Sequence, residues 1–340
     1  MTIEAATGPR SKLRFHGNGL VRPECVLAHR SGLLFAADWT GPGGVAIIDP
    51  STHQVRRHLA ADPDAALKPN AILLEDGGSF LLTRLGDTAG GVFRLHPDGS
   101  HEPVLAEVEG RPLPPTNFVT ADDAGRLYVT VSTRHVPRHL AAHAGVRDGF
   151  IVLQPPDGPA RIVADGIGYT NECLLDAAGQ RLFVNETFAR ATSVYPVHAD
   201  GTLGAPEIVA RYGEGIYPDG LALAEDGGLF VVSIISNTVL HVSPGGTLTT
   251  LLEDREDARV RAVEAAYQAG SLTRALLDTP HSGPLQNISS IAFGGETMQT
   301  AYLGCLLGDR IASFESPIAG SVPPHYGASL AGLAHAGLLP

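Results

Sequence analysis

Short apolar segments separated by polar turns run along most of the chain, and they recur in pairs. In each pair a polar residue opens an apolar segment, a turn containing Gly or an acid follows, and a second apolar segment comes after the turn. Segments of this length bounded by turn residues predict β-strands, and Asp-Gly pairs such as Asp76-Gly77 predict hairpins between them. The six copies begin at Glu24, Asn70, Asn117, Asn171, Asp219 and Asn287.

These starting residues are separated by 46, 47, 54, 48 and 68 residues, a spacing typical of propeller blades. The second segment of each copy is mostly apolar, so both of its faces must be covered. Six sheets packed radially achieve this and leave only short edges. We predict an all-β chain, a single six-bladed β-propeller over residues 12–330 with an N-terminal tail at 1–11. Residues 12–15 (KLRF) are predicted to add a strand to the last blade.

Two insertions interrupt the regular spacing. The segment 253–278 has apolar residues at helical spacing, which predicts a helical insertion between blades 5 and 6. The segment 132–148, in the third copy, carries Arg134, His135 and Arg138. Such cationic side chains are candidates for binding a carboxylate, a phosphate or an oxyanion of a substrate. The alternative is an exposed, solvated loop.

The six starting residues share one chemical property, because each has a side-chain carbonyl or carboxylate oxygen. The innermost strands of a propeller line its central channel, so equivalent positions form a ring around the axis. Several converging oxygens suit Ca²⁺, whereas no equivalent ring of His or Cys indicates zinc or copper. Glu24 and Asp219 are the only acids of the ring and would neutralise a divalent cation. The alternative for any single position is a turn residue that bonds its own backbone.

Composition narrows the functional classes. The chain has 340 residues, a formal net charge of −12 and 24 Lys and Arg without a basic run, which argues against nucleic-acid or anionic-membrane binding. Three cysteines without a CxxC pair indicate neither a disulfide framework nor a thiolate metal site. No signal peptide or membrane span is evident. We therefore expect a cytoplasmic protein with a small-molecule substrate, of unassigned oligomeric state.

The repeated phrases resemble those of the SMP-30, gluconolactonase and luciferin-regenerating-enzyme family over about residues 22–326. The phrases are PECVLAHRSGLLFAADW, TNFVTADDAGRLYVTVS, YTNECLLDAAGQRLFVNET, YPDGLALAEDGGLFVV and ISSIAFGGETMQTAYLG. The resemblance implies a six-bladed propeller with one divalent cation near the channel mouth, often Ca²⁺, with Zn²⁺, Mn²⁺ or Mg²⁺ as alternatives. It places that cation on Glu24, Asn117, Asn171 and Asp219, and it implies that Asp219 is also a base.

The chain departs from the family pattern beside two of these positions, where Cys25 follows Glu24 and Glu172 follows Asn171. We predict hydrolysis of a lactone or related ester, in which the cation polarises the carbonyl and Asp219, ahead of Glu24, assists the attack of water. The alternatives are a non-hydrolytic isomerase, cyclase or lyase on the same scaffold, and a non-catalytic propeller that binds a partner. Substrate contacts are predicted for Asn70, Arg134, His135, Arg138, Tyr169, Glu172 and Asn287.

Overall fold

Six four-stranded antiparallel sheets form the blades of a propeller in the computed structural model, which describes residues 12–340. The predicted tail at 1–11 lies outside the described residues. Blade 6 is closed by the first strand of the chain, β1 (Arg14–His16), as predicted. Blade 1 contains β2 (Val26–Ala28), β3 (Leu34–Asp38), β4 (Gly44–Ile48) and β5 (Val55–Leu59). Blade 2 contains β6 (Pro69–Leu74), β7 (Phe80–Arg84), β8 (Val92–Leu95) and β9 (His101–Leu105).

A short hairpin, β10 (Glu107–Val108) and β11 (Arg111–Pro112), leads into the second half of the ring. Blade 3 contains β12 (Phe118–Ala121), β13 (Leu127–Val131), β14 (Gly149–Gln154) and β15 (Arg161–Ile167). Blade 4 contains β16 (Thr170–Leu175), β17 (Arg181–Glu186), β18 (Ala191–Pro196) and β19 (Glu207–Arg211). Blade 5 contains β20 (Pro218–Leu223), β21 (Leu229–Ser233), β22 (Thr238–Val242) and β23 (Leu248–Glu253). Blade 6 adds β24 (Ile288–Gly294), β25 (Thr300–Cys305) and β26 (Ile311–Glu315), with β1 paired to β26.

The apolar second strands are covered on both faces because each blade packs between two others. In β3, Phe35 and Ala37 pack toward blade 2, whereas Leu34 and Ala36 pack toward blade 6. Each of the six blade interfaces within residues 12–340 has its own core cluster of this kind. Burial at about 25 cal/mol per Å² of apolar surface stabilises these interfaces and holds the inner strands in a fixed ring.

Helices occur outside the blades. The predicted insertion after blade 5 contains α1 (Asp257–Gln268) and α2 (Arg274–Leu277), and α1 buries Val260, Val263 and Tyr267 along one face. The insertion at 132–148 forms one 3₁₀ turn (Arg138–Ala141), and a second 3₁₀ turn covers Pro324–Gly327. Beyond the predicted domain end at 330, α3 (Ala331–His335) places Leu333 against Gly78 of blade 2, so this segment also packs on the propeller.

Candidate active site

The six predicted ring residues, Glu24, Asn70, Asn117, Asn171, Asp219 and Asn287, all lie at the start of the innermost strands. The inner strands contact their neighbours around the whole ring. Each of these residues is at most 6% exposed, and Asn117 is fully buried. The six residues therefore occupy equivalent places at the start of the inner strands, and their convergence at one end of the central channel stays a prediction.

Local irregularities in the inner strands aim several of these side chains. The pairing register shifts between Pro69 and Ile72 in β6, and equivalent shifts in β16 and β20 enclose Asn171 and Asp219. An extra residue at such a bulge is unpaired and turns its side chain away from the regular alternation. The bulges thus present Asn70, Asn171 and Asp219 to the channel rather than to a blade interface.

Side chains of the preceding blade hold the backbone of several ring residues. Asn185 Nδ2 of β17 donates to Asp219 O at 2.9 Å, and Thr83 Oγ1 of β7 donates to Asn117 O at 2.8 Å. Ser290 Oγ of β24 donates to Glu24 O at 2.6 Å. Sequence reasoning missed these residues. The sequence contains a pattern that could have identified two of them. Thr83 and Asn185 each follow three apolar residues in the second strand of a copy, in FLLT and LFVN.

Asp219 and Glu24 are the acids of the ring. Burial, followed by the charge of Glu24, raises the pKa of Asp219 well above its ordinary value, and the guanidiniums of Arg138 and Arg22 offset part of this effect. Arg22 Nη2 lies 2.8 Å from Glu24 Oε2, with both side chains nearly buried. Arg22 has a left-handed backbone with φ of 54° and stacks on Trp39 at 4.8 Å. The sequence analysis did not identify Arg22.

Glu172 is buried next to the ring and is held by a backbone group of the neighbouring blade. Its Oε2 accepts a hydrogen bond from Leu221 N at 2.9 Å, just past the bulge that carries Asp219. Burial, together with the charges of Asp219 and Glu24, raises the pKa of Glu172 well above its ordinary value despite that bond. Glu172 therefore helps to fix the start of β20, and it favours the protonated form more than an exposed glutamate does.

The predicted substrate residues of 132–148 separate into two groups. Arg134 makes a bidentate pair with Asp165, at 2.8 and 2.9 Å, and His135 Nδ1 lies 3.0 Å from Asp148 Oδ2; both side chains are exposed. These contacts bind them to the loop and to β15 rather than to the ring. Arg138 instead donates from Nε to Tyr169 OH at 2.8 Å. Burial lowers the pKa of Arg138, but its interactions with Tyr169, Glu24 and Asp219 outweigh burial and raise that pKa.

Within the described residues, Asn287 bonds both ends of its side-chain amide, whereas Asn70 bonds only the nitrogen of its amide. Asn287 Oδ1 accepts from Arg259 Nη1 and its Nδ2 donates to Leu277 O, both at 2.9 Å, so this side chain is tied to the helical insertion. Asn70 Nδ2 donates to Asn117 O at 3.1 Å, which leaves its Oδ1 buried without a partner among residues 12–340.

The remaining ring positions suit an oxygen-ligated cation. Both polar atoms of the Asn117 side chain are buried with no hydrogen-bond partner in the described part of the chain. Asn171 Nδ2 donates to Thr187 Oγ1 at 2.8 Å, which leaves the amide oxygen of Asn171 for a ligand. Within the same region no group of three or more His, Cys, Asp or Glu forms a metal site, so a cation here needs amide oxygens. Two carboxylates with amide oxygens are a donor set that Ca²⁺ accepts.

The two insertions cover this end of the channel with one shared apolar core, which we name the cap cluster. Tyr169 and Phe188, whose ring centroids lie 4.6 Å apart, form its centre, and Tyr267 OH donates to Phe188 O at 2.6 Å. Two described cavities, beside Leu285 and beside Asp226, are not lined by ring residues. The cap cluster consists of Ala141, Ala142, Tyr169, Phe188, Tyr217, Ile234, Ile235, Val260, Val263, Tyr267, Leu272 and Leu277.

The fold is that of a six-bladed β-propeller with oxygen-bearing side chains at the start of its inner strands. A comparison with family models identifies the family. The model of the SMP-30/gluconolactonase/LRE-like region matches residues 22–254. The chain therefore belongs to this family, as the repeated phrases predict. A comparison with curated proteins finds no match.

Solved structures share the fold at low sequence identity. The gluconolactonase of Xanthomonas campestris is 17% identical with a TM-score of 0.66, covering 93% of this chain and 97% of that one. A calcium-binding protein, regucalcin, from Agrobacterium tumefaciens is 13% identical with a TM-score of 0.62, covering 92% and 97%. A streptogramin B lyase is 14% identical with a TM-score of 0.57, covering 92% and 98%. These similarities show the fold.

The sequence predicts neither binding to an anionic membrane nor a membrane span. The longest helix among residues 12–340 is α1 with 12 residues, and no helix there has the length and hydropathy that a bilayer span needs. The cytoplasmic location and the small-molecule substrate stay predictions.

Proposed function

We propose that the protein is a divalent-cation-dependent hydrolase of a lactone or related ester, with Ca²⁺ as the preferred ion. The observation that carries this proposal is Asn117, whose buried amide oxygen has no partner among the described residues and which lies at the start of an inner strand, as Glu24 and Asp219 do. An unpaired buried polar group costs about 1–3 kcal/mol, which a bound ligand recovers. Glu24, Asn117, Asn171 and Asp219 would hold the cation.

The reaction would use the cation and the surrounding side chains in different ways. A bound divalent cation polarises the carbonyl of a lactone or ester. Asp219, whose pKa is raised by burial, takes a proton from the attacking water at one of its Oδ atoms. Arg138 would present N–H donors beside Asp219 and Glu24 to a group of the substrate away from the reacting carbonyl. The cap cluster excludes bulk water, which strengthens these electrostatic contacts.

A second candidate is a non-hydrolytic reaction, a lyase or isomerase step, at the same site. Glu172 and Asp219 are both buried acids with raised pKa, and the charge of Asp219 contributes to the raised pKa of Glu172. A protonated Glu172 with an ionised Asp219 would form an acid and a base pair, which elimination or isomerisation needs. The streptogramin B lyase fold similarity is consistent with this alternative.

The test is an assay of the full chain against a panel of lactones, after removal of metal with EDTA and after addition of Ca²⁺. We expect turnover only with the cation, and a product that has gained one water. A product of unchanged or divided mass would favour the second candidate. Asp219→Asn should lower kcat by about 1,000-fold because the base is lost. The matched control is Asp157→Asn, which removes one exposed acid far from the ring.

Full turnover in the metal-free protein would contradict the proposal, and so would wild-type activity of Asp219→Asn. Turnover of no substrate with any cation would favour the non-catalytic alternative, in which the cation is structural.

A further inference from the structure

Two arginines from different parts of the chain reach the ring, and we name Arg22 and Arg138 the arginine pair. Arg22 comes from the segment before β2, and Arg138 begins the 3₁₀ turn of the 132–148 insertion. Arg22 pairs with Glu24 at 2.8 Å, the charge of Arg138 lowers the pKa of Arg22, and both guanidiniums lower the pKa of Asp219. The pair therefore places two guanidiniums over the carboxylates of Glu24 and Asp219.

The arginine pair has buried N–H donors that the protein leaves unused. Arg138 Nη1 and Arg22 Nε are both inaccessible to solvent and have no hydrogen-bond partner in residues 12–340. The hydrogen bond that Arg138 makes goes to a neutral phenol, and within those residues no carboxylate lies within 4.0 Å of it. Removing a guanidinium from water without pairing all its donors is costly.

Other arginines covered by the insertions are paired more completely. Arg190 Nη2 donates to Tyr217 OH at 2.9 Å and to Glu264 Oε2 at 2.6 Å. Arg259 donates to Ile235 O, Asn287 Oδ1 and Leu277 O. Arg190 and Arg259 also leave Nε buried without a partner among residues 12–340, as Arg22 does. Their terminal nitrogens bond protein groups, whereas Arg138 Nη1 bonds none in that part of the chain. The difference points to a ligand that completes the arginine pair.

The charge balance indicates the sign of that ligand. The two arginines already balance the two carboxylates of Glu24 and Asp219. A divalent cation at the ring therefore leaves the site with a net positive charge, even when Glu172 is ionised. A carboxylate matches the fork of a guanidinium in both charge and shape. A neutral substrate would leave both the charge and the donors uncompensated.

We propose that the substrate is anionic, a lactone or ester that bears a carboxylate, and that Arg138 with Arg22 binds this carboxylate while the reacting carbonyl faces Asp219. This inference rests on the proposed function and narrows its substrate class. Arg134 and His135 take no part in it, because Asp165 and Asp148 already hold them.

The test compares substrates that differ only in the carboxylate. Glucono-1,4-lactone is neutral, and glucaro-1,4-lactone replaces its terminal CH₂OH with a carboxylate; γ-butyrolactone and its 5-carboxylate form a second pair. We expect kcat/KM of the wild type to be at least about 10-fold higher for the anionic member. Arg138→Gln should lower kcat/KM for the anionic member by about 30-fold or more and for the neutral member by less than about 3-fold. Arg138→Lys, which keeps the charge but loses the fork, should fall between.

The control variant is Arg161→Gln, since Arg161 is an exposed arginine of β15 away from the ring, and its substrate preference should equal that of the wild type. Thermal unfolding of each variant checks that it folds. Calorimetric titration of the metal-loaded protein with gluconate and glucarate gives a readout independent of turnover, and glucarate should bind more tightly in the wild type but not in Arg138→Gln.

Equal rates for the neutral and anionic members, or equal losses for both in Arg138→Gln, would overturn the anionic substrate while leaving the hydrolase intact. Failure of every lactone to react would reject the proposed function. Binding of glucarate that depends on Arg138 would then still support the carboxylate site. If no carboxylate in either pair binds or reacts, the inference is wrong.

Discussion

The ring divides into two sets of positions that look alike in the sequence and differ in the structure. At blades 2, 3 and 4, Asn70, Asn117 and Asn171 keep an amide oxygen without a hydrogen bond among residues 12–340. At blade 6, the amide oxygen of Asn287 accepts a hydrogen bond from Arg259, and the amide nitrogen donates one to Leu277 O. The contrast arises outside the repeat, because Arg259 belongs to the helical insertion between blades 5 and 6 and bonds the side chain of Asn287. A repeated residue thus acquires its role from the neighbours that the insertions bring.

The largest expected effect separates Asn117 from Asn287. Asn117→Ala should weaken Ca²⁺ binding by about 10- to 100-fold, because a ligand oxygen is lost while no protein hydrogen bond of the side chain is broken. Asn287→Ala should leave Ca²⁺ affinity within about twofold but lower the free energy of unfolding by about 1–3 kcal/mol, since Arg259 and Leu277 O lose their partner. Calorimetry measures the Ca²⁺ affinity, and urea unfolding measures the free energy of unfolding. Equal loss of affinity in both variants would remove the distinction.

Arg22→Gln should strengthen binding of the cation by about 10-fold. Arg22 Nη2 lies 2.8 Å from Glu24 Oε2, so the guanidinium competes with a cation for that carboxylate. Calcium titration of the variant measures the effect. Arg181→Gln breaks an exposed pair with Asp176 at the turn between β16 and β17, at the opposite end of β16 from Asn171, and should leave the affinity unchanged. Weaker binding in Arg22→Gln would mean that the arginine supports the site instead of competing for it.

The pH dependence of stability should reveal the buried acids. The pKa values of Asp219 and Glu172 are raised in the folded protein, so between the ordinary and the raised values the folded state holds more protons than the unfolded one. The free energy of unfolding without metal therefore falls as the pH rises through this window. In the double variant Asp219→Asn with Glu172→Gln, the free energy of unfolding should depend less on pH. At neutral pH it should be about 1 kcal/mol higher than in the wild type. Urea unfolding in EDTA across pH measures it, and an unchanged slope would contradict the assignment.

Asn70 should show the smallest effect because it acts through Asn117. Its Nδ2 donates to Asn117 O, and Thr83 Oγ1 donates to the same carbonyl. Asn70→Ala should therefore weaken Ca²⁺ binding by only about threefold, and the double variant with Thr83→Val should weaken it further. Calorimetric titration of both variants checks this. A loss as large as that of Asn117→Ala would place Asn70 among the ligands.

The fold could be predicted from sequence to the level of blades, closure and insertion. Strand period, turn residues and repeat spacing are local signals, and the strand that closes blade 6 is Arg14–His16, which overlaps the predicted segment 12–15. The ring residues followed from the same register. Contacts between distant segments were not predictable in this way. Arg134 meets Asp165 across 31 residues, and the cap cluster joins segments from 141 to 277, so the split within the 132–148 insertion required the structure.

The bond between Ser290 Oγ and Glu24 O spans 266 residues of chain. Translation therefore delivers Glu24 long before the blade that fastens it exists. Before that blade emerges, the nascent polypeptide already carries Asn70, Asn117, Asn171 and Asp219. At that stage Ser290 does not yet hold Glu24. Binding of the proposed cation would thus belong to the last stage of maturation, after blade 6 has emerged and β1 has paired with β26.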